Sequence, residues 1–118
     1  MKKKVLIAED DKAIVDVITI ILENEGYEVL IADQGEIAYK IIEKHKPDII
    51  FLDIWLFGED GRKIAKNIKA KEQTKHIPLI LMSANNETEK ITKEVGANDF
   101  LLKPFNIDDL LFLIKKHL

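Results

Sequence analysis

The apolar residues of this chain alternate between two patterns, and this alternation is the feature that most constrains its fold. Short runs that are apolar at nearly every position, such as residues 77–82, are separated by segments in which apolar residues recur at helical spacing. Continuous apolar runs are typical of strands buried on both faces of a parallel sheet. Strands that alternate with helices in such a sheet are joined by right-handed crossovers. The sequence therefore predicts a doubly wound α/β fold.

The alternation predicts five strands and five helices. The strands are expected near residues 4–9, 27–32, 48–53, 77–83 and 98–102. The helices are expected near residues 12–25, 35–46, 61–71, 87–95 and 107–117. Gly26 is expected to cap the end of the first helix. The 118 residues are expected to form one domain over 1–118, because a chain of this length can bury enough surface to fold unaided.

Two helices carry apolar stripes that predict how they face the sheet. In the first helix, one face collects Ala13, Ile14, Val17, Ile18, Ile21 and Leu22. In the last helix, a 3.6-residue period predicts the buried stripe Ile107, Leu110, Leu111, Ile114 and Leu118. Phe112 and Leu113 lie off this stripe, so Phe112 is expected to be exposed and available to a partner.

Composition excludes several classes of function. The chain has no cysteine, which excludes disulfides, thiolate nucleophiles and cysteine-ligated zinc. A formal net charge of -3, with residues 2–4 as the only basic block, argues against a direct nucleic-acid surface. No apolar segment approaches the roughly 20 residues of a membrane span and no signal peptide is present, so a cytoplasmic protein without membrane contact is expected. His45, His76 and His117 are expected on the surface, with no metal cluster among them.

Three acidic residues end two of the predicted strands. Glu9 and Asp10 close the first apolar run, and Asp53 closes the run over residues 48–53. The carboxyl ends of parallel strands meet at one edge of the sheet, where ligands bind in open α/β folds, so these carboxylates are expected in one crevice. Carboxylates forced together repel one another unless a cation neutralises them. Mg²⁺ prefers such ligands and shares its shell with phosphoryl groups, so a magnesium and phosphoryl site is predicted.

Three residues suit phosphoryl chemistry at that edge. An aspartate such as Asp53 can act as a nucleophile and form an aspartyl phosphate, while a metal offsets the charge on the transferring group. Lys103, which follows an apolar strand and precedes Pro104, would supply a second positive charge. Ser83, at the end of the fourth predicted strand, offers a hydroxyl donor to a phosphoryl oxygen. Asp11, which follows Asp10 in the sequence, is predicted only to cap the first helix.

Five segments, in their order and spacing, resemble the receiver domain of response regulators in two-component signalling, including those of chemotaxis regulators. They are residues 5–11, 52–56, 58–61, 81–84 and 96–105, and the resemblance covers essentially the whole chain. It implies a flavodoxin-like sheet of five parallel strands with the order 2-1-3-4-5, and five helices.

The resemblance also implies a role for each residue of the crevice. Asp53 would be the phosphoacceptor. Glu9, Asp10 and the backbone carbonyl of Trp55 would hold Mg²⁺ together with Asp53. Lys103 would bind the phosphoryl group from a loop that contains a cis-proline bond.

A switch and a set of partners follow from the same resemblance. Ser83 and Phe100 would form a switch pair through which phosphorylation reshapes the face of the fourth helix, fifth strand and fifth helix. A sensor histidine kinase or a phosphotransfer protein would supply the phosphoryl group. An output protein, an effector domain or a second copy in a phosphorylation-dependent homodimer would bind the reshaped face. No effector domain follows Leu118, so a stand-alone regulator or a receiver excised from a longer protein is expected.

The expected protein is a signalling phosphoacceptor with self-phosphorylation and autodephosphorylation chemistry, and not a turnover enzyme.

The chain departs from the family pattern at Phe57, which stands where the family usually has proline, so the loop loses a fixed φ. Gly58 and Gly61 in the same loop are interpreted as turn formers.

Three alternatives stand beside this interpretation. A flavodoxin-type flavin binder would need a phosphate-cradling loop after the first strand, where this chain has acids. An aspartyl phosphatase of the haloacid dehalogenase type would carry a second aspartate two residues after Asp53, where this chain has Trp55. A degenerate receiver that serves only as a constitutive interaction module is disfavoured by the presence of the full set of site residues, which are Glu9, Asp10, Asp53, Ser83 and Lys103.

Overall fold

The computed structural model describes residues 2–56 and 58–118, in which strands and helices alternate. The strands are β1 (Lys4–Ala8), β2 (Glu28–Ala32), β3 (Ile49–Asp53), β4 (Trp55–Leu56), β5 (Glu59–Asp60), β6 (Leu79–Ser83) and β7 (Asp99–Leu102). The helices are α1 (Lys12–Asn24), α2 (Gly35–His45), α3 (Gly61–Ala70), α4 (Thr88–Val95) and α5 (Ile107–His117). Every predicted strand and helix is present within a few residues of its expected bounds.

Five of the strands form one parallel sheet in the order β2-β1-β3-β6-β7. Counted within this sheet alone, the order is 2-1-3-4-5, so the predicted flavodoxin-like topology is confirmed. The remaining two strands, β4 and β5, pair antiparallel as a short hairpin that the sequence did not predict. Two residues per strand are too few to show a period. The expectation about Phe57 falls between these strands and lies outside the described residues.

The apolar runs form strands because both faces of the sheet are covered. Within β3, Ile50 and Leu52 belong to a core cluster shared with α2, α3 and α4. Ile49 and Phe51, which alternate with them, belong to a second cluster shared with α1 and α5. Side chains along a strand point alternately to opposite faces, so a strand covered on both sides must be apolar throughout.

The first helix is buried on a narrower face than predicted. Only Ile18 and Leu22 are fully buried, whereas Val17 is 54% exposed and Ala13 is also exposed. The expectation that the whole arc of six apolar residues faces the core was therefore wrong at these two positions, because a helix lying on a sheet covers a stripe narrower than that arc. Gly26 follows this helix with a φ of +89°, as expected for a residue that ends a helix in the left-handed region.

The buried stripe of α5 is rotated by about 60° from the predicted one. Leu110, Leu113 and Ile114 are buried, as their i, i+3 and i+4 spacing requires. The prediction that Leu113 lies off the stripe was therefore wrong. Ile107 and Leu118, which were predicted to be buried, are 52% and 43% exposed because they lie at the side of the stripe.

The exposed position predicted for Phe112 is confirmed, since its side chain is 64% exposed. The expectation for His117 was wrong. Its Nε2 lies 3.0 Å from Oδ2 of Asp99, and both side chains are 16% exposed. Lys116 Nζ reaches the same oxygen at 3.0 Å. The last turn of α5 is thus tied to the first residue of β7.

None of the described helices has the length and apolar character needed to span a membrane.

Candidate functional site

The register of the sheet brings the acidic strand ends together. Ala8 pairs with Leu52 across the β1–β3 ladder, so Glu9 and Asp53 are the next residues at two adjacent strand ends. Glu9 remains anchored to the sheet because its amide donates to the Ala32 carbonyl at 3.0 Å. Glu9 and Asp53 are both buried, at 1% and 8% exposure.

The next two strands add Ser83 and Lys103 to the same edge. Asp53 pairs with Met82, which places Ser83 one residue further along the neighbouring strand. Ser83 in turn pairs with Leu102, and the amide of Lys103 donates to the Ser83 carbonyl at 2.9 Å. Four consecutive strands of the sheet therefore contribute to one crevice at their carboxyl ends.

Three carboxylates converge in this crevice. Glu9, Asp10 and Asp53 each offer an oxygen within 4.8 Å of the other two. The Glu9 carboxylate is oriented by the amides of Asp10 and Asp11, which donate to its Oε2 at 3.1 and 3.3 Å. Asp11 also accepts from the amides at the start of α1, so its predicted role as the cap of that helix is confirmed.

Lys103 provides positive charge at the centre of the crevice. Its ammonium donates to Oδ2 of Asp53 at 2.9 Å and forms a short contact with Oε1 of Glu9. The peptide bond between Lys103 and Pro104 is cis, as the family resemblance implied. Only 17% of the Lys103 side chain is exposed, so these contacts are shielded from water. The sequence suggested the lysine but not its direct contacts with both acids.

The pKa values of Glu9 and Lys103 are shifted by burial and by nearby charges. Burial raises the pKa of Glu9, and the neighbouring Asp53 carboxylate raises it further to about 7, against the lowering effect of Lys103. For Lys103, burial lowers the pKa, but hydrogen bonds to Glu9 and Asp53 outweigh burial, so the pKa is raised. Both shifts favour the protonated forms, which are a neutral Glu9 carboxyl and a charged Lys103 ammonium.

The two oxygens of the Asp53 carboxylate have different partners. Oδ2 accepts from Lys103, while Oδ1 accepts from the backbone amide of Trp55 at 3.1 Å. These two hydrogen bonds orient the carboxylate towards the crevice. Trp55 itself is 59% exposed. Its carbonyl belongs to a residue paired with Asp60 across the short hairpin.

Gly61 is a residue of the site that the sequence did not identify. A Cβ at this position would collide with the backbone carbonyl oxygen of Asp53 and would lie 2.7 Å from that of Ile54. The start of α3 therefore packs directly on the backbone that carries Asp53. Gly61 permits a close approach and is not a turn former, whereas Gly58, with a φ of +76°, does fit the predicted turn. The signal in the sequence was a glycine directly after Asp60, which caps α3.

The two residues expected to act as a switch lie on one face of the sheet. Phe100 pairs with Leu81, and paired residues of parallel strands face the same side of the sheet. Ser83 lies two residues after Leu81 and therefore faces that side as well. The Ser83 hydroxyl accepts from the amide of Asn85 at 2.9 Å and remains a donor. Phe100 is half-buried and lines a cavity of about 300 Å³. That cavity also contacts Phe112 and Leu113 of α5.

The donor set of the crevice fits a hard divalent cation. Three carboxylate oxygens lie within 4.8 Å of one another, and Lys103 forms ion pairs with two of these acids. Mg²⁺ binds such oxygen sets and keeps several waters. When bound, it would polarise a phosphoryl oxygen and stabilise the negative charge of a transferring group.

Comparison with known proteins identifies the family. Residues 5–115 match the model of the response regulator receiver domain. Because this match covers almost the entire chain, the protein belongs to the response regulator receiver family of two-component signalling. Members of this family are signalling modules and not typical turnover enzymes.

Solved structures show the same architecture. A putative response regulator from Chloroflexus aurantiacus is 31% identical, with a TM-score of 0.93 over 98% of this chain and 97% of the other. A chemotaxis response regulator of Vibrio cholerae is 29% identical, with a TM-score of 0.91 over the full length of both chains. The receiver domain of a sensor histidine kinase from Pseudomonas aeruginosa is 28% identical, with a TM-score of 0.89 over 99% of this chain and 98% of the other. That structure has a magnesium ion coordinated in its active-site cleft.

Proposed function

We propose that this protein accepts a phosphoryl group on Asp53 from a phosphohistidine of a sensor histidine kinase or a phosphotransfer protein, in a Mg²⁺-dependent reaction. One observation carries the proposal. The Asp53 carboxylate lies within 4.8 Å of two other carboxylates and is held by the Lys103 ammonium at 2.9 Å. Three converging acids, two of them buried, together with a lysine match the requirements of phosphoryl transfer better than those of a structural ion pair.

Each group has a separate task in the proposed reaction. An oxygen of Asp53 attacks phosphorus while the bond from phosphorus to the donor nitrogen breaks, and the electron pair stays on that nitrogen. Lys103, already hydrogen-bonded to Oδ2, offsets charge on the phosphoryl oxygens. The Trp55 amide holds the other carboxylate oxygen, so the acid stays oriented during attack.

Glu9, Asp10, Asp53 and the backbone carbonyl of Trp55 are the proposed Mg²⁺ ligands. The first three are supported by the convergence of their oxygens. The Trp55 carbonyl is supported by the position of its residue two places after Asp53, whose carboxylate accepts from the Trp55 amide. Asp10 is the exposed member of the set and lies where a hydrated ion would enter.

Phosphorylation would change the protein through Ser83 and Phe100. The new phosphoryl oxygens attract the Ser83 hydroxyl and the Lys103 ammonium. Ser83 and Phe100 share one face of two paired strands, so a shift of β6 relative to β7 also moves Phe100. Because Phe100 lines a cavity with Phe112, the proposed output is a changed surface on α4, β7 and α5.

The proposed biological setting follows from the family. Receiver domains interact with histidine kinases and with output domains, and we assign both kinds of partner to this protein without direct nucleic-acid or membrane contact. A phosphorylation-dependent homodimer through the same surface is a further proposed state. Residues 1–118 would act as one cytoplasmic receiver domain.

The decisive experiment is incubation with acetyl phosphate and Mg²⁺, followed by intact-mass measurement. We expect one added phosphoryl group that is stable in acid and labile in base. Asp53→Asn should abolish it. Asp16→Asn, which removes an exposed acid from α1, is the matched control and should be labelled like the parent.

Two outcomes would contradict the proposal. Undiminished labelling of Asp53→Asn would show that Asp53 is not the acceptor. An unlabelled parent that still binds its partner would favour the alternative of a degenerate receiver, which acts as a constitutive interaction module.

A further inference from the structure

A second group of charged residues lies at the opposite edge of the sheet. An open cleft of about 750 Å³ is located between the C-terminal ends of α3 and α4, and we call it the α3–α4 cleft. Its lining includes Lys66, Lys69, Lys75, His76, Lys93 and Glu94. This lining holds four lysines and one acid in a chain whose net charge is -3. The local cation excess is therefore a property of the cleft and not of the whole surface.

Lys69 is the anchored cation of the cleft. Its ammonium donates to the carbonyls of Lys75 and Ile77 at 3.0 and 2.9 Å. An ammonium has three donors, so one remains after these two bonds. Burial lowers the pKa of Lys69, and no carboxylate among the described residues forms an ion pair with it. A partly desolvated cation held only by carbonyls lacks the counter-charge that partly buried charges usually have.

Asn98 adds a second oriented donor. Its Oδ1 accepts from the Leu79 amide at 2.9 Å, and this bond fixes the side-chain amide. The NH₂ group is then the free end of a residue that lines the cleft. Lys69 and Asn98 thus present two donors whose positions are set by backbone contacts before any ligand arrives.

Helix dipoles explain only part of the lysine excess. The C-terminal end of each helix carries about half a negative charge, so the ends of α3 and α4 together offset about one lysine. Lys75 is paired with Glu72 at 2.7 Å, and Glu94 lies 4.0 Å from Lys90, which is not part of the lining. In the described part of the chain no carboxylate forms an ion pair with Lys66, Lys69 or Lys93, and Lys66 acts on Asp60 only at longer range. Positive charge therefore remains in the cleft after these effects are counted.

We propose that the α3–α4 cleft binds a small soluble anion that carries a phosphate group, with Lys69 and Asn98 as anchored donors and Lys66 and Lys93 as mobile cations. Lysine binds phosphate as a point charge, and Lys69 and Asn98 both line the cleft in which the anion would lie. A cleft of this size also leaves room for the organic part of a phosphate ester.

The site would be coupled to the opposite edge of the sheet through α4. This helix begins five residues after Ser83, and the hydroxyl of Thr88 in its first turn donates to the Asn85 carbonyl at 2.5 Å. Its other end, at Val95, lines the cleft. An anion that holds the end of α4 would restrict a helix that starts beside the acidic crevice.

The test is a titration with inorganic phosphate in EDTA-containing, Mg²⁺-free buffer at constant ionic strength, followed by amide NMR. We expect saturable shifts at Gly96 and Asn98. Lys69→Gln should weaken binding about tenfold, which corresponds to about 1.4 kcal/mol. Because Lys69 also holds the segment before β6, a second variant with exposed substitutions, Lys66→Gln together with Lys93→Gln, should give a similar loss without any loss of stability.

Two controls separate binding from general charge effects. Lys40→Gln, at an exposed lysine of α2 paired with Glu36, should bind like the parent. Sodium acetate at matched ionic strength should produce no saturable shift at Gly96 or Asn98. The proposal is overturned if both cleft variants bind phosphate like the parent, or if the shifts map to the acidic crevice alone. Asp53→Asn should bind normally here, so failure of the proposed phosphoacceptor role would not affect this result.

Discussion

The ammonium of Lys103 donates a hydrogen bond to Oδ2 of Asp53 at 2.9 Å, across 50 residues of sequence. The same ammonium contacts Glu9, so one lysine joins two buried acids from adjacent strands. Among the described residues, Lys103 is the cation found in ion-pair contact with this cluster. The acidic crevice therefore depends on this residue for its stability as well as for its proposed chemistry.

We expect Lys103→Met to lower the free energy of unfolding by about 2 kcal/mol in EDTA, since two charged hydrogen bonds are lost at buried acids. Mg²⁺ should restore more stability to this variant than it adds to the parent, because the ion replaces the missing positive charge. Urea unfolding with and without Mg²⁺ measures both effects. Lys40→Met, at an exposed lysine, is the control. Parent-like stability of Lys103→Met in EDTA would contradict the expected dependence.

Magnesium binding should be visible through Trp55. This residue is the single tryptophan of the chain, and its amide contacts Asp53, so its fluorescence is expected to change during a Mg²⁺ titration. Asp10→Ala should raise the Mg²⁺ concentration at the midpoint of the titration about tenfold or more, because one of three convergent carboxylates is lost. Asp33→Ala removes an exposed acid that follows β2 and should leave the titration unchanged. An equal response in the Asp10 variant would remove Asp10 from the proposed ligand set.

Gly61→Ala should disturb both stability and labelling. The added methyl group would overlap the backbone of Asp53 and Ile54, which is expected to cost about 1–3 kcal/mol and to displace the acceptor. Gly26→Ala is the matched control, since its Cβ meets open space and only its φ of +89° is strained. It should lose stability without losing labelling by acetyl phosphate. If Gly61→Ala were labelled as fast as Gly26→Ala, the close approach would not matter for the site.

Phe112 and Leu113 are adjacent in sequence but should respond oppositely to substitution. Phe112→Ser removes a side chain that is 64% exposed, so folding and labelling of Asp53 should persist while phosphorylation-dependent association weakens. Leu113→Ser removes a side chain that is 7% exposed and should lower the unfolding free energy by about 2–5 kcal/mol. Thermal unfolding would measure the loss of stability, and sedimentation of the complexes in an analytical ultracentrifuge would measure the association. Unchanged association of Phe112→Ser would exclude Phe112 from the partner surface.

Asp99 should make stability depend on acidic pH. Burial raises the pKa of its carboxyl, but hydrogen bonds from His117 and Lys116 outweigh burial, so the pKa is lowered. An acid with a lowered pKa stabilises the fold above its usual pKa of about 4, and this contribution is lost as pH falls through the folded-state pKa.

Asp99→Asn should therefore cost about 1 kcal/mol at pH 7, and the difference from the parent should shrink below pH 4. Urea midpoints at several pH values measure this difference. Asp108→Asn, at an exposed acid of α5, is the control. A difference that stays constant from pH 7 to pH 3 would show that the ion pairs do not contribute.

The sequence predicted the features that depend on the apolar pattern and on the position of residues along the strands. Buried strands are apolar throughout, and acids at strand ends meet at one edge, so Asp53 and Glu9 could be brought together from their positions alone. It did not predict contacts that depend on side-chain conformation between distant segments, such as His117 with Asp99. It also misplaced Leu113, because the apolar residues of α5 cover an arc wide enough to allow two orientations of the helix.

The position of β7 at the margin of the sheet affects how easily the protein could respond. In the part of the chain that the structure describes, this strand pairs with β6 alone, through four residues, whereas β3, which carries Asp53, is paired on both sides. Displacing β3 would disrupt two ladders, while displacing β7 disrupts one, so local opening should require less free energy at β7. The proposed acceptor therefore lies on the strand that should be harder to displace, and Phe100 lies on the strand that should be easier to displace.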